Sequence, residues 1–209
     1  DAEKGAEQDK VMSSDEVPIH PLRLCKEVRD FLKRDAILVV DGQEILNYGR
    51  QSIPTFVPGH RMNSGTFGCM GVGLPLALGA KVARPDRPVV SVSGDGGFLF
   101  NAQELSTAVR HRINVVAVVF NDSSFGNVAR DLDESWGGQY GAELANPDFM
   151  KLADAFGVLG LRATEPTQVG RLVREAIEKD RPALVEVPVG RMDRPKFFTP
   201  RRTPTKLPR

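Results

Sequence analysis

The sequence predicts an α/β domain: a doubly wound, mostly parallel sheet with helices on both faces. Three observations carry that expectation. Short, continuous apolar runs recur along the chain, they alternate with stretches of helical period, and several stop abruptly at Gly, Asp or Asn.

The elements follow in order. After Pro21, apolar residues at Leu24, Cys25, Val28, Phe31 and Leu32 mark a helical stripe over 22–32. Residues 36–40 (AILVV) read as a buried parallel strand ending in Asp41-Gly42. Residues 68–83 read as a helix of small residues, and 88–93 (PVVSVS) as a strand ending in Gly94-Asp95-Gly96. A helix is expected over 101–111, with Asn101 as its N-cap and Glu104 at the capping-box position. Residues 114–120 (NVVAVVF) are the clearest strand and end in Asn121-Asp122. Helices near 147–156 and 167–179 and strands near 158–162 and 183–187 complete the alternation. Right-handed crossovers bring every strand's carboxyl end to one edge, and ligands of such sheets bind beyond it.

Composition sets bounds on function. With 41% hydrophobic and 26% charged residues, the chain falls outside disordered and collagen-like classes. Its 28 Lys+Arg against 27 Asp+Glu exclude the broad basic field of a general nucleic-acid binder. No apolar run of about 18 residues suggests a membrane span. Cys25 and Cys69 form no CxxC, so a zinc site or disulfide framework is not indicated, and a reducing, cytoplasmic setting is expected. Residues 1–18 carry six acids and two bases and read as a linker or disordered acidic lead. The core is expected over 19–190. Residues 191–209, with seven bases, one acid and four prolines, read as a basic tail. A start at Asp1 without an initiator Met suggests a piece of a longer or processed chain.

The polar residues that end the strands would share the ligand edge. Asp95 and Asp122 offer carboxylates and a nearby loop carbonyl a third oxygen, as Mg²⁺ requires when phosphate and water supply the rest. Gly96-Gly97 lets backbone N–H groups approach a phosphate. A single Gly/Asp turn of this kind is equally what any strand-to-helix junction needs for its φ/ψ angles. The spacing separates the two readings.

Gly94-Asp95-Gly96, then 24 residues, then Asn121-Asp122 resembles the GDG…NN signature of thiamine-diphosphate (ThDP) enzymes. The text between them, and HRMNSGTFGCMGVGLPLALGAKVARPDRPVVSVSGDG upstream, is similar to the acetolactate synthase, pyruvate oxidase and benzoylformate decarboxylase group. The resemblance spans most of 20–190 and implies the ThDP-binding fold. It is far more specific than Gly71-Val72-Gly73 as a dinucleotide fingerprint, which lacks a glycine at position 76.

The resemblance implies a divalent ion, Mg²⁺, on Asp95, Asp122 and the backbone oxygen of Ser124. Asp122 departs from the family's Asn. Gly42, Gln43 and Glu44 stand where the family meets the diphosphate from an earlier strand, Glu44 replacing the His of acetolactate synthases. Met70 matches the residue that props the cofactor in its folded shape, and the Gly68 carbonyl and Met70 N–H match groups that hold its aminopyrimidine. Gly94, Gly96 and Gly97 would face the diphosphate. Phe125, Gly126 and Asn127 fall in the loop that closes over cofactor or substrate. The activating Glu comes, in this family, from a pyrimidine-binding domain. No catalytic residue is therefore assigned within the chain, which is expected to work beside such a domain or subunit, as a homodimer or homotetramer.

The implied reaction is C–C cleavage or formation on a 2-oxo acid, this chain supplying the diphosphate and metal half of the site. Residues 126–131 (GNVARD) lack the Met and Trp of acetolactate synthase proper, whose segment reads GMVxQW. The segment PGHRMNSGTFGCMGVGL also resembles oxalyl-CoA decarboxylase and 2-hydroxyacyl-CoA lyase, so an acyl-CoA substrate is the alternative, although those enzymes read GDS. FAD is a further option that this chain does not determine. From another class, a non-catalytic phosphate-binding module would need neither Asp95, Asp122 nor Met70. Among other candidates, His60 is read as loop structure or a substrate contact, Arg130 as a partner for an anionic substrate, and Trp136 and Tyr140 as lining for a mobile loop or as surface packing.

Overall fold

Valine and isoleucine fill the runs that become strands, because branching at Cβ suits a pleated, buried surface. The computed structural model describes residues 9–190. It contains β1 (Ile37–Asp41), β2 (Arg61–Met62), β3 (Val89–Gly94), β4 (Val116–Asn121), β5 (Leu159–Arg162) and β6 (Ala183–Pro188). These form one sheet in the order β2-β1-β3-β4-β6-β5. Every pairing is parallel, so the sheet is wholly rather than mostly so.

Side chains alternate across the sheet and build two cores. On one face Leu38, Val40, Val90, Val92, Val118 and Val185 pack against α1 (Pro21–Phe31), α2 (Gln43–Ser52) and α8 (Pro166–Glu178). On the other, Val39, Val89, Ala117, Val119 and Leu184 meet α3 (Gly73–Ala83), α4 (Asp95–Phe100), α5 (Glu104–His111) and α7 (Phe149–Phe156). The two-residue period of a strand thus serves both layers at once. A further helix, α6 (Gly126–Trp136), follows β4 and lies beside α2.

This topology opens the crevice. β1 and β3 are neighbours, with Asp41 opposite Ser93, yet α2 leaves β1 on one face and α4 leaves β3 on the other. The two carboxyl ends part between Gly42 and Gly94, the switch point where parallel sheets bind ligands.

Several boundaries differ from expectation. The helix expected over 68–83 starts at Gly73, because Gly68 and Gly71 take positive φ values of 71° and 88°. The helix expected over 101–111 starts at Glu104, and its N-cap Gln103 makes no side-chain capping bond. Asn101 instead donates from Nδ2 to the Gly71 carbonyl (2.7 Å), and Glu104 accepts from Thr107 Oγ1. The edge strand β2 and the helices α2 and α6 were not anticipated. Residues 9–18, expected to belong to a linker or disordered lead, place Met12 in the core, and Ile19 bridges Val189. The expectations for residues 1–8 and 191–209 lie outside the described residues.

Candidate functional site

A cavity of about 270 Å³ lies at the parted strand ends. Gly42, directly after β1, and Gly94, at the end of β3, line it together with Asp95, Gly96 and Gly97 from the start of α4. Asp122, Ser124 and Phe125 come from the turn after β4, and Gly126 and Asn127 from the start of α6. Gly68 and Met70 stand at its rim. All of these were expected site residues, drawn together from four chain segments. Gln43 and Glu44 open α2, but their side chains lie outside the described part of the structure.

Bare backbone is required at two of the glycines. Gly42 has φ 100°, which L side chains rarely adopt. A Cβ at Gly96 would press into the Phe125 ring, 2.8 Å from Cδ1.

Asp95 is buried. Its Oδ1 accepts from the Gly96 N–H (2.8 Å) and its Oδ2 from Asn146 Nδ2 (2.7 Å). Burial pushes the carboxyl above its ordinary value, against these donors and the Ser123 and Ser124 N–H groups that favour the anion. A nearby cation would act in the same direction as the donors and keep the carboxylate charged.

Asn146 is a residue the sequence reading missed. Its Nδ2 also donates to Asn121 Oδ1 (2.9 Å), while its own Oδ1 is buried with no hydrogen-bond partner among the described residues. The sequence signal was only an Asn before Pro147, which reads as a turn. That turn belongs to a strap over the Asp122 loop: Phe125 N–H donates to the Ala142 carbonyl and Leu144 N–H to the Ser123 carbonyl, both at 2.8 Å. Ser123 sits at φ 54°, and its N–H bonds Asn121 Oδ1 (3.2 Å), an Asx turn that reverses the chain toward Ser124. Among the described residues no group of three His, Cys, Asp or Glu side chains could hold a metal ion. Two carboxylates and a carbonyl would need oxygens from a ligand and water as well.

Asp41 supports the rim from below. Its Oδ2 accepts from the N–H groups of Gly71 and Gly73, both at 2.9 Å, and so ties the Met70 loop to the end of β1. Burial raises this carboxyl too, while the backbone donors counter the shift.

Other candidates fall elsewhere. The His60 carbonyl accepts from Leu38 N–H, at the amino-terminal half of β1, so His60 lies away from the ligand edge. Arg130 is buried, and its Nη2 bonds Asn127 Oδ1 (2.5 Å). It therefore steadies the α6 start rather than reaching outward. Trp136 and Tyr140 are exposed, at 83% and 94%. The two thiols differ sharply. Cys69 is exposed beside Met70, whereas Cys25 is buried in the core and desolvation pushes its thiol up to about 12. An alkylating reagent at pH 8 is expected to modify Cys69 alone in the folded protein and both thiols after unfolding, read by mass spectrometry. Modification of Cys25 before unfolding would contradict that burial.

A family model described as "Thiamine pyrophosphate enzyme, C-terminal TPP binding domain" matches residues 47–187. Among curated proteins, the "Acetolactate synthase" of Bacillus subtilis (strain 168) is 35% identical over 174 residues, covering 83% of this chain and 30% of that protein. The "Probable acetolactate synthase" of Mycobacterium bovis is 34% identical over 190 residues, 90% of this chain and 34% of that protein. The "2-hydroxyacyl-CoA lyase 2" of Bos taurus is 34% identical over 180 residues, 84% of this chain and 28% of that protein. The chain spans about a third of the length of the curated relatives it matches.

Proposed function

Because the chain belongs to the thiamine pyrophosphate enzymes, as their C-terminal TPP binding domain, we propose that it supplies the diphosphate and metal half of the active site of a ThDP- and Mg²⁺-dependent enzyme. The reaction we assign is decarboxylation or carboligation of a 2-oxo acid. One observation carries the reading: two carboxylates and a run of bare glycine backbone converge on one cavity at the sheet's switch point.

The residues fit the group. A buried amide oxygen on Asn146, next to Asp95, has no partner among the described residues, which suits a site completed by a cation and its water. The Asp95 and Asp122 carboxylates and the Ser124 carbonyl would hold Mg²⁺. Gly42, Gly94, Gly96 and Gly97 leave room for a diphosphate against the main chain. The Gly68 carbonyl and Met70 N–H would orient the aminopyrimidine, with the Met70 side chain beneath the bend. Phe125, Gly126 and Asn127 close the opposite wall and exclude water. When bound, ThDP supplies the electron sink that a C–C bond beside a carbonyl needs in order to break or form. The Glu that activates it is assigned to a pyrimidine-binding domain or subunit, so turnover belongs to the assembled enzyme. Residues 19–190 form the ThDP domain in this reading.

The enzyme stripped of cofactor by a chelator is expected to gain thermal stability only when ThDP and Mg²⁺ are added together. At about 100 times Kd the gain is about 2.7 kcal/mol. No shift overturns the reading. A second reading rests on the bovine relative, as similar in identity as the acetolactate synthases: the substrate is then a 2-hydroxyacyl-CoA. Consumption of a 2-hydroxyacyl-CoA without turnover of 2-oxo acids would select it.

A further inference from the structure

Behind the Asp95 carboxylate runs a polar chain that crosses four adjacent strands of the sheet. Glu186 on β6 is 3% exposed and accepts at both oxygens: from Arg162 Nε on β5 (2.6 Å) and from Asn121 Nδ2 at the end of β4 (2.7 Å). Asn121 Oδ1 accepts from Asn146 Nδ2, and the same Nδ2 reaches Asp95 Oδ2 at the end of β3. Arg162 is also anchored by Asp148 Oδ1 (3.0 Å).

A side-chain amide can face either way, but here each one is forced. The Glu186 carboxylate, paired with a guanidinium, offers only acceptors, so Asn121 must turn its NH₂ toward it. The Asn121 oxygen then faces Asn146, which must present its own NH₂. One nitrogen with two hydrogens therefore meets both Asn121 and Asp95, and the Asn146 oxygen is left on the other side. We propose that Asn146 is a further positioning residue of the metal–diphosphate site and that Glu186 sets its orientation through Asn121. The polarity of the chain is held from both ends, by the Glu186 carboxylate on Asn121 and by the Asp95 carboxylate on Asn146, and the Ser123 N–H donates to the same Asn121 oxygen. This inference rests on the ThDP and Mg²⁺ reading of the site.

Glu186→Gln tests it with almost no change in shape. The substituted side chain keeps an oxygen for Arg162 and turns its NH₂ to Asn121, which is driven to flip, giving up the Ser123 N–H it accepted and turning its own NH₂ toward Asn146. Asn146 then meets a donor where it had an acceptor, and satisfying one neighbour costs it the other. The Mg²⁺ concentration that half-saturates ThDP binding, measured by titration calorimetry on the assembled enzyme, is expected to rise about 10- to 100-fold in Glu186→Gln and in Asn146→Ala. The double variant is expected to match Asn146→Ala alone, because Glu186 acts through Asn146. If Asn146→Ala fails to fold, Asn146→Ser takes its place in the cycle. Penalties that multiply in the double variant, or a Glu186→Gln enzyme with wild-type Mg²⁺ dependence, overturn the proposal alone. A wild-type enzyme that binds no ThDP with Mg²⁺ overturns the reading beneath it, and the proposal falls with that reading.

Discussion

Asp95→Asn is expected to weaken Mg²⁺-dependent ThDP binding by on the order of 100-fold or more, while the cofactor-free protein still folds. The substitution keeps the volume of a buried side chain and removes one unit of charge. The new amide can still accept from the Gly96 N–H, but its NH₂ then meets the Asn146 Nδ2, whose orientation is set from behind. At least the hydrogen bond from Asn146 is lost, at a cost of roughly 1–3 kcal/mol. Against that loss stands relief from burying a carboxylate that desolvation disfavours. The two effects oppose each other in the empty protein, so its stability moves little. No such offset exists for the cation, which loses a formal charge and an oxygen. Titration calorimetry and thermal melting, run side by side, separate the two quantities. Asp154→Asn, on the exposed side of α7, serves as the control and is expected to bind like wild type. Asp95→Asn affinity within threefold of wild type would remove Asp95 from the metal site.

Gly73→Ala carries the largest expected effect on stability. Gly73 has no positive φ, so the demand for glycine there is one of space. A Cβ would overlap Ser93 Oγ and lie 2.8 Å from Asp41 Cβ. Both neighbours are buried at the carboxyl ends of paired strands and cannot swing aside. Overpacking of this kind costs about 1–3 kcal/mol or more, and each kcal/mol lowers the melting midpoint by roughly 2–4 °C for a domain of this size. The damage also reaches the site, because displacing Asp41 releases the Gly71 N–H and with it the loop bearing Met70. Gly79→Ala, on the same helix with open space around its would-be Cβ, is expected to stabilise by up to about 1 kcal/mol. Ser93→Ala combined with Gly73→Ala restores only part of the loss, since Asp41 Cβ remains in the way. Equal midpoints for Gly73→Ala and wild type would refute the close approach of α3 to β1 and β3.

The strands were legible because a run such as 115–120 is apolar on both faces, and only a covered parallel strand needs that. The glycines and acids at their ends were legible because the sheet brings all those ends to one edge. What escaped had no pattern of its own. In α6 the buried residues are Ala129 and Arg130 while Val128 faces solvent, so no apolar stripe announces a helix. In α2 a glycine at position 49 and the absence of a side-chain cap at Gly42 conceal the helical period. Asn101 looked like a cap because caps are local, whereas its actual partner, Gly71, lies 30 residues away. Asn146 is the same case: its partners are 25 and 51 residues back, and nothing in its own neighbourhood records them.

The sheet order also has a consequence in time. β6 is the last of the six strands to leave the ribosome, yet it sits between β4 and β5. Until it emerges, β4 ends in an open edge, β5 has no partner in the sheet, and the Glu186 that orients Asn121 does not yet exist. Among the described strands β6 is therefore a keystone, and a nascent chain stopped short of Ala183 holds every glycine and both acids of the candidate site while β4 and β5 remain unjoined. Domains fold as units during synthesis, and here the sheet is continuous only once β6 has paired with both β4 and β5.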